Sequence, residues 1–330
     1  MVSIRNGYTV DGPFRYGFIG LGVMGWGMAN NLRAKIPESA SLCVCEISEE
    51  RLNKWLAQAP GSASVAATPK EVVEQSDVVI TMLPAGPHVA TVFTDPVTGL
   101  LSADPSHLKN KLFIECSTID IDTSLRMAAE VKKLQACEFV DSPVSGGVHG
   151  ASTGTLSMMV GCETPEIFDR VKPILCLMGA SEKIFHCGGP SAGLATKQIN
   201  NYLSCITMLG TCEAMTMGQR SGLDPVKLAS VIRVSTGACY NCGDQNPVRG
   251  VSEVASASRD FEGGFSTEMA KGVLDMALDH GSKIGAKSVL GGVVSDFYER
   301  AASHRLCRGK DFRSIYKLFA ENDGKELGLD

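Results

Sequence analysis

Lys197 and Asn201 are polar residues within residues 194–217, a stretch that is otherwise mostly apolar. Their spacing of four places them on one face of a helix. Polar groups in such surroundings need partners, and a structural network explains the pair as well as catalysis does. A lysine that is buried among apolar groups loses proton affinity and can exchange a proton with a substrate hydroxyl near neutral pH. Lys197 is therefore a candidate acid–base catalyst, and Asn201 is a candidate for orienting the ammonium group and the substrate.

A glycine-rich segment near the start of the chain is a candidate dinucleotide site. It is the GxGxxG pattern Gly20-Leu21-Gly22-Val23-Met24-Gly25, which is a weak signal alone. Here it follows a predicted strand and opens a predicted helix, so its backbone amides can approach a pyrophosphate. Glu46 ends the next strand, where a carboxylate binds the adenosine ribose and repels a 2′-phosphate. This context favours NAD over NADP. It also disfavours the alternative interpretation, a glycine-rich turn in another kind of α/β protein.

Two polar segments follow later predicted strands. Ser145-Gly146-Gly147 offers a hydroxyl and successive backbone amides, which can form a nest for a carboxylate. Open α/β sheets bind ligands beyond the carboxyl ends of their strands, where this segment and Ser117-Thr118 both lie. For both segments an ordinary polar turn is the alternative, and on these residues alone it is the favoured one.

Other reactive side chains carry weaker signals. Cys239 and Cys242 form a CxxC, but no second pair has zinc-ligand spacing, so bystander thiols in a loop are the better interpretation. The six histidines lack metal-ligand spacing, and no metal site is predicted. Lys271, at the start of a predicted helix, is expected to be solvated.

The elements that must position these residues follow from hydrophobic periodicity. Short apolar runs alternating with amphipathic stretches indicate strands and crossover helices of a parallel sheet. Strands are predicted at 16–20, the first of the chain, and then at 42–47, 77–83, 112–116 and 138–144; helices are predicted over 28–35, over 48–56 with a Ser48 cap, and from a capping box at Thr68, Pro69 and Glu71. Residues 194–217 predict a long buried helix ending at Gly222, followed by a helix starting at Asp224-Pro225 and further helices up to Phe319.

These elements predict an α/β Rossmann-type dinucleotide-binding domain over residues 1–190. A second, all-α helical domain for substrate binding and oligomerisation is predicted over residues 191–330, joined to the first by the long helix.

Composition narrows the class of protein. The 330 residues are 44% hydrophobic and 20% charged, with a net charge of -5, which predicts an ordinary globular chain that binds neither nucleic acid nor membranes. No secretory signal or membrane span is expected, so the 12 cysteines are predicted to be reduced thiols in an intracellular protein. Residues 1–16 do not decide between the cytoplasm and mitochondria.

Over residues 17–319 the chain resembles the β-hydroxyacid dehydrogenase family. The resemblance rests on an ordered series of segments: GFIGLGVMG, CSTID, FVDSPVSGGVHGASTGTLSMMVG and GLATKQINNYLSCITMLGTCEAMTMGQRSGLDP. Residues 235–240, STGACY, continuing to Asn246-Pro247, are similar to the part that distinguishes the members acting on 3-hydroxyisobutyrate.

The resemblance implies a role for each candidate residue. It implies that Lys197 is the catalytic lysine in the cleft between the domains, that Asn201 is its helical companion, and that Ser145, Gly146 and Gly147 hold the substrate carboxylate. It further implies that Ser117 and Thr118 lie near the nicotinamide, that Lys271 closes the pocket over it, and that Leu83 and Pro84 contact the cofactor. A homodimer or homotetramer is implied, and the mitochondrial matrix is the compartment that the resemblance suggests.

The chain departs from the family pattern at three places. Gly272 stands where an aspartate usually follows the pocket lysine, which removes an expected support for Lys271. Gly161-Cys162 stands where two glycines are usual, and Ala238 replaces a bulkier basic residue. These departures concern substrate identity and not the proton-transfer residue.

The expected reaction is NAD-dependent oxidation of 3-hydroxyisobutyrate to methylmalonate semialdehyde, a step of valine catabolism. The nearest alternative is a tartronate or succinate semialdehyde reductase of the same family, for which NADPH would be the cofactor. An imine reductase is less consistent with Lys197, and a non-catalytic dinucleotide-binding protein is an alternative of another class.

Overall fold

The computed structural model describes residues 2–3, 9–10, 15–134 and 136–320, which divide into two compact units, Met1–Lys197 and Gln198–Asp330. The domain boundary expected at residue 190 stays a prediction. A short antiparallel pair, β1 (Val2–Ser3) and β2 (Thr9–Val10), precedes the strand that the sequence predicts to be the first.

A nine-stranded sheet frames the first unit. Its strands are β3 (Arg15–Ile19), β4 (Ser41–Cys45), β5 (Ser64–Val65), β6 (Val78–Thr81), β7 (Leu112–Glu115), β8 (Glu138–Asp141), β9 (Val144–Ser145), β10 (Leu156–Gly161) and β11 (Gly179–Gly188). The spatial order is β11-β10-β8-β7-β6-β3-β4-β5, with β9 paired to β10. All neighbours are parallel except that β10 runs antiparallel to β8 and β9. The arrangement confirms the Rossmann-type class.

The register of the parallel strands aligns their carboxyl ends. Ile19 pairs with both Cys45 and Thr81, Thr81 pairs with Glu115, and Glu115 pairs with Asp141. The segments that follow these five residues therefore leave the sheet along one edge, where such sheets bind ligands.

Helices cover both faces of this sheet, as the burial of successive side chains along the central strands requires. They are α1 (Gly25–Lys35), α2 (Glu49–Gln58), α3 (Pro69–Gln75), α4 (Gly86–Thr94), α5 (Ile121–Lys132), α6 (Gly147–Thr153) and α7 (Pro165–Leu175). Phe18 and Ile80 belong to the core cluster that contains Trp55 of α2, whereas Ile19 and Val79 belong to the cluster that contains Phe93 of α4.

The predicted helix starts are confirmed. The Ser48 hydroxyl accepts a hydrogen bond from the Arg51 amide, and the Thr68 hydroxyl accepts one from the Glu71 amide. The Glu71 carboxylate reaches back to the amide of Ala67, one residue before the cap. Such contacts stabilise a helix by about 1 kcal/mol each.

The strands over residues 156–161 and 179–188 are absent from the prediction. β10 carries the uneven pattern LSMMVG, and most of β11 is exposed or only partly buried, so neither shows the continuous apolar run of the central strands. β11 lies at the edge of the sheet, where one side of a strand has no neighbour to bury it.

The second unit is helical, with its own buried cluster that includes Met208, Leu274 and Tyr298. Helix α8 (Ala192–Arg220) begins in the first unit, and it is followed by α9 (Pro225–Arg233), α10 (Thr267–Lys283), α11 (Gly291–Ser303) and α12 (Tyr316–Ala320). Gly222, with φ of +75°, follows the end of α8, and Asp224 caps α9, as predicted.

Two expectations for this half of the chain are wrong in part. Helix α8 is not buried throughout, because Ile199, Leu203 and Met217 are more than half exposed. Residues 234–266 contain turns and a short 3-10 helix rather than an α-helix. Among the residues described, no helix is both long enough and apolar enough to span a membrane.

Candidate active site

The three glycines of the GxGxxG segment each meet a different demand. Gly20 has φ of +96°, and a Cβ there would lie 2.4 Å from the carbonyl oxygen of Met82 on the neighbouring chain segment. A Cβ on Gly25 would lie 2.0 Å from the Gly20 carbonyl oxygen, so the turn closes only without side chains. Beside Gly22, by contrast, no atom lies within 4 Å of a built Cβ. That opening fits a pyrophosphate approaching the backbone, as in other dinucleotide-binding turns.

Glu46 follows β4 and is bonded to the glycine-rich turn itself. Its carboxylate accepts from the Leu21 amide at 2.7 Å, from the Ser48 amide at 3.0 Å, and from the Arg51 guanidinium at 3.0 Å. The Glu46 side chain is only 4% exposed. The sequence predicts a carboxylate that offers its oxygens to a ribose, whereas here protein donors engage them.

A pocket of about 450 Å³ adjoins this turn, within the size range of small-molecule sites. Its lining combines the turn, the start of α1, the start of α2 and two residues of α6: Leu21, Gly22, Val23, Trp26, Gly27, Ser48, Glu50, Arg51, Lys54, Val148 and Ser152. Sequence reasoning missed Arg51 and Lys54, because basic residues on an amphipathic helix look like an ordinary solvated face.

Helices α1 and α6 pack closely beside the pocket. A Cβ on Gly27 would lie 2.7 Å from the backbone carbon of Ala151, so only glycine permits this approach. The Asn31 side-chain amide donates to the backbone carbonyls of Gly27, Ala151 and Ser152 at 2.8 to 3.0 Å. The glycine-rich turn and the serine-glycine segment are thereby held side by side.

The serine-glycine segment forms a sharp turn into α6. Ser145 ends β9, which pairs with β10, and it is followed by Gly146 with φ of +136° and Gly147 with φ of +61°. No atom lies within 4 Å of a Cβ built on Gly147. Open space beside consecutive amides suits an anion, and the carboxylate nest stays a prediction.

Leu83, Pro84, Ser117 and Thr118 follow β6 and β7, which are neighbours in the sheet. The Ser117 hydroxyl accepts a hydrogen bond from the Leu83 amide at 2.7 Å, so the two loops are tied together. Ser117 is fully buried, whereas Thr118 is partly exposed and Pro84 is exposed. The Ser117 hydroxyl thus supports the loop, and Leu83, Pro84 and Thr118 are the members of this group with exposed surface.

Two buried carboxyl groups, Glu115 and Asp141, lie beside each other at the ends of β7 and β8. Desolvation raises the pKa of Glu115 to about 8 and that of Asp141 to about 7. Glu115 accepts from the Ser117 amide at 2.9 Å. Sequence reasoning assigned no role to either group, because both occupy positions inside predicted strands.

Asp141 holds the start of helix α8. Its two carboxylate oxygens accept from the Ser191 amide at 2.6 Å and from the Leu194 amide at 2.9 Å, which satisfies amides of the helix N-terminus. A Cβ on Gly161 or on Gly193 would lie within 2.7 Å of one of these oxygens. The glycine of the Gly161-Cys162 departure is thus required by the carboxylate, while Cys162 is buried and its thiol points to the Thr164 carbonyl.

Lys197 follows in the second turn of the same helix and is partly buried. Burial away from water lowers the pKa of Lys197 to about 8. No carboxylate among the residues described forms an ion pair with its ammonium group, so no nearby anion offsets this effect. The sequence interpretation of Lys197 as a desolvated lysine agrees with this environment, and its catalytic role stays a prediction.

Lys271 and Asn201 belong to the second unit. Lys271 is 15% exposed and pairs with Asp275 at 2.6 Å and with Glu299 at 3.0 Å, so the expectation of a solvated side chain is wrong. Burial works to lower the pKa of Lys271, but its bonds to the two carboxylates hold it above the usual value. These two carboxylates support the Lys271 side chain, a role that the sequence comparison expects of an aspartate at position 272. Asn201 is partly buried on α8, where its role stays a prediction.

Two sequence profiles match most of the chain. Residues 15–189 match the NAD binding domain of 6-phosphogluconate dehydrogenase, and residues 191–319 match a domain described as NAD-binding of NADP-dependent 3-hydroxyisobutyrate dehydrogenase. The chain binds a nicotinamide dinucleotide through such a domain, and the opening at Gly22 fits that group.

Relatives cover nearly the full chain. The mitochondrial 3-hydroxyisobutyrate dehydrogenase of Rattus norvegicus is 36% identical over 93% of this chain and 87% of its own length. A probable mitochondrial 3-hydroxyisobutyrate dehydrogenase of Arabidopsis thaliana is 35% identical over 92% of this chain and 86% of its own. The solved 3-hydroxyisobutyrate dehydrogenase of Mycobacterium tuberculosis with L-serine has a TM-score of 0.82 at 31% identity, covering 93% of this chain and 99% of that one. The chain therefore belongs to the 3-hydroxyisobutyrate dehydrogenase branch of the β-hydroxyacid dehydrogenases, which are oxidoreductases acting on CH–OH groups.

Proposed function

We propose that this enzyme oxidises 3-hydroxyisobutyrate to methylmalonate semialdehyde with NAD as the hydride acceptor and Lys197 as the proton acceptor. The observation that carries the proposal is the isolated, desolvated ammonium group of Lys197 in the helix that Asp141 anchors. The identity of the relatives supports the choice of substrate.

The lowered pKa is what suits Lys197 to this role. With a pKa of about 8, about one lysine in ten is neutral at pH 7, whereas for an ordinary pKa of 10.4 the fraction is about one in 2,500. The neutral amine accepts the proton of the substrate hydroxyl as the carbon loses a hydride, which NAD takes up when bound. The ammonium group then releases that proton to solvent, so each turnover yields one aldehyde, one NADH and one proton.

The substrate carboxylate needs donors that hold it in one orientation. We assign this role to Ser145 and to the amides of Gly146 and Gly147, because the turn is open and already fixed by β9 and α6. Asn201 is assigned to orient the reacting hydroxyl and the amine. Orientation of this kind lowers the entropic part of the barrier, and exclusion of water protects the hydride step.

For the cofactor, Glu46 supports NAD, because a carboxylate at this position disfavours a 2′-phosphate. Arg51 and Lys54 line the same pocket, and this specific observation favours NADP as the second candidate. The decision rests on whether Arg51 stays paired with Glu46, at 3.0 Å in this structure, or is released toward a phosphate.

The first experiment measures NADH or NADPH formation by the purified enzyme with each enantiomer of 3-hydroxyisobutyrate, with L-serine and with 4-hydroxybutyrate. We expect one enantiomer to give the highest kcat/KM and NAD to exceed NADP by at least about tenfold, the size of effect that a single unfavourable charge contact gives. In Arg51→Ala the preference for NAD should persist.

The same panel separates the alternatives. Preference for NADP that collapses in Arg51→Ala would replace NAD in the proposal. Faster reduction of tartronate or succinate semialdehyde than oxidation of any hydroxy acid would support the reductase. Tight NAD binding by calorimetry without turnover of any compound would contradict an enzymatic role and favour a dinucleotide-binding protein.

A further inference from the structure

Cys239 and Cys242 lie in the turn-rich segment after α9, and their thiols face each other. The two Sγ atoms are 3.0 Å apart. The sequence interpretation of these residues as bystander thiols rests on the lack of a metal-binding second pair, which says nothing about chemistry between the two. All the contacts that define this dithiol lie within the second unit.

The turn that carries the dithiol is held by its own backbone and by helix α8. The Cys242 amide donates to the Cys239 carbonyl at 3.2 Å and also approaches the Cys239 Sγ at 3.3 Å. Asn241, between the two cysteines, is buried. Its side-chain amide donates to the Ser204 carbonyl and the Thr207 hydroxyl, both at 2.9 Å. The turn therefore holds both thiols on the same side of the segment before any reaction between them.

The two thiols differ in exposure and in proton affinity. Cys239 is partly exposed, whereas Cys242 is buried. Burial works to raise the pKa of Cys239, but hydrogen bonds from Cys242, Thr211 and Asn241 outweigh it and lower the pKa of this thiol. Burial raises the pKa of Cys242. A reachable thiol that ionises readily beside a protonated one is the arrangement of an attacking and a resolving cysteine.

Most other thiols of the chain lack this combination. Burial raises the pKa of Cys45, Cys116 and Cys205, and all three are buried. Cys187, like Cys239, is partly exposed, but its thiol points to the Phe185 carbonyl rather than to a second sulfur. Cys187 is therefore the matched control for reactivity due to exposure alone.

We propose that Cys239 and Cys242 form a redox-active dithiol that hydrogen peroxide converts to a disulfide within the turn. The Cys239 thiolate attacks one peroxide oxygen, which breaks the O–O bond and, with one proton, gives a sulfenic acid and water. The Cys242 thiol then attacks the Cys239 sulfur, the S–S bond forms, and the hydroxyl leaves as a second water. In sum, two thiols and one hydrogen peroxide give one disulfide and two waters.

The approach needed for the bond is small. A disulfide has an S–S distance of about 2.05 Å, so the sulfurs must move about 1 Å closer than they are here. The spacing of three residues within one turn permits this by side-chain rotation. The Thr211 hydroxyl contacts both sulfurs, at 3.3 Å from the Cys242 Sγ and 3.8 Å from the Cys239 Sγ, while it donates to the Thr207 carbonyl.

The test follows the tryptic peptide 234–249, which contains both cysteines and no internal cleavage site. The reduced full-length protein is treated with increasing hydrogen peroxide, quenched with N-ethylmaleimide, digested and analysed by mass spectrometry. We expect this peptide to lose both maleimide groups together and to become lighter by two hydrogens, at least about tenfold faster than Cys187 is oxidised. Dithiothreitol should restore both maleimide sites.

Two variants assign the roles of the thiols. Cys242→Ser should stop at a sulfenic acid on Cys239 that dimedone traps, whereas Cys239→Ser should leave Cys242 alkylatable. Cys187→Ser should not change the disulfide yield. The proposal is overturned if the peptide keeps both maleimides while Cys187 is oxidised, if either cysteine pairs with a third one, or if Cys242 is the residue that dimedone labels.

Discussion

Lys197 and Lys271 lie near the starts of α8 and α10, and both ammonium groups are largely removed from water. Lys197 has no carboxylate partner among the residues described, and its pKa falls to about 8. Lys271 is held between Asp275 and Glu299, and its pKa rises above the usual value. Burial alone therefore does not produce a base, because the charges around the buried amine decide the direction of the shift.

The two helices also differ in what caps their N-termini. Helix α10 has a local cap, because the Ser266 hydroxyl accepts from the Met269 amide three residues later. Helix α8 is anchored by Asp141, which is 50 residues earlier in the chain and lies at the end of a central strand. The lysine proposed for proton transfer thus follows a helix start that the sheet fixes, and the paired lysine follows one that needs only its neighbours.

The largest effect should come from removing the two amines. We expect Lys197→Ala to lower kcat for hydroxy-acid oxidation by about 10²–10⁴, the usual contribution of a general base. Because the charge of Lys271 is already paired, Lys271→Ala should keep kcat within about tenfold. The same variant should raise the KM for the dinucleotide. Steady-state kinetics with both variants measures the difference.

The pH profile gives the control for this pair. Because Lys197 must be neutral to accept a proton and its pKa is lowered to about 8, wild-type kcat/KM for oxidation should rise with pH up to about 8 and then level. Asp275→Asn should leave this limb in place. If the pKa of this rising limb instead shifts in Asp275→Asn, the group that ionises is the one paired with Asp275. Lys271 and not Lys197 would then be the base.

A smaller effect is expected from the two helix anchors. Asn at position 141 offers one acceptor where the carboxylate offers two, so Asp141→Asn leaves a buried amide unpaired at a cost of about 1–3 kcal/mol. Since that change displaces the start of α8, kcat should fall about tenfold, an effect of the same size in free energy. Ser266→Ala should cost about 1 kcal/mol with kcat within twofold.

Thermal unfolding and turnover, measured together, check this prediction. If the two variants lower the melting temperature alike and both keep wild-type kcat, Asp141 acts on stability alone and does not position Lys197.

The smallest effect is expected from restoring the family residue at position 272. Gly272 is exposed, and no atom lies within 4 Å of a Cβ built there. Because Lys271 already has two carboxylate partners, Gly272→Asp should change kcat and the KM for the dinucleotide by less than about twofold, as expected for a surface ion pair. A larger gain in dinucleotide affinity would show that Asp275 and Glu299 do not replace the missing aspartate.

The sequence predicts the fold well where local chemistry decides it. The central strands, the caps at Ser48 and Thr68 and the end of α8 at Gly222 follow from apolar runs and from residues with definite preferences. The prediction fails at β10 and β11, because neither strand carries the continuous apolar run of a strand that is buried on both faces. It also overstates the burial of α8, since apolar composition does not say which positions have neighbours.

For the candidate site, the sequence identifies side chains with distinctive types and misses those whose role depends on partners. Lys197 and Glu46 are recognised from their position in a pattern, but the pairing of Glu46 with Arg51 is visible only in three dimensions. Asp141 lies inside the predicted strand 138–144, and nothing in its position indicates that its carboxylate anchors a helix 50 residues away. The closeness of the Cys239 and Cys242 sulfurs likewise depends on the turn geometry.

The contact at Gly27 limits how this enzyme can change. The missing side chain lets α1 press against α6, so the turn assigned to the dinucleotide and the segment assigned to the hydroxy acid share one wall. A redesign of cofactor preference that shifts α1 by even a fraction of an ångström should also move Gly147 and the amides beside it. We therefore expect cofactor preference and substrate preference to be coupled in this protein, and libraries that vary one should vary the other with it.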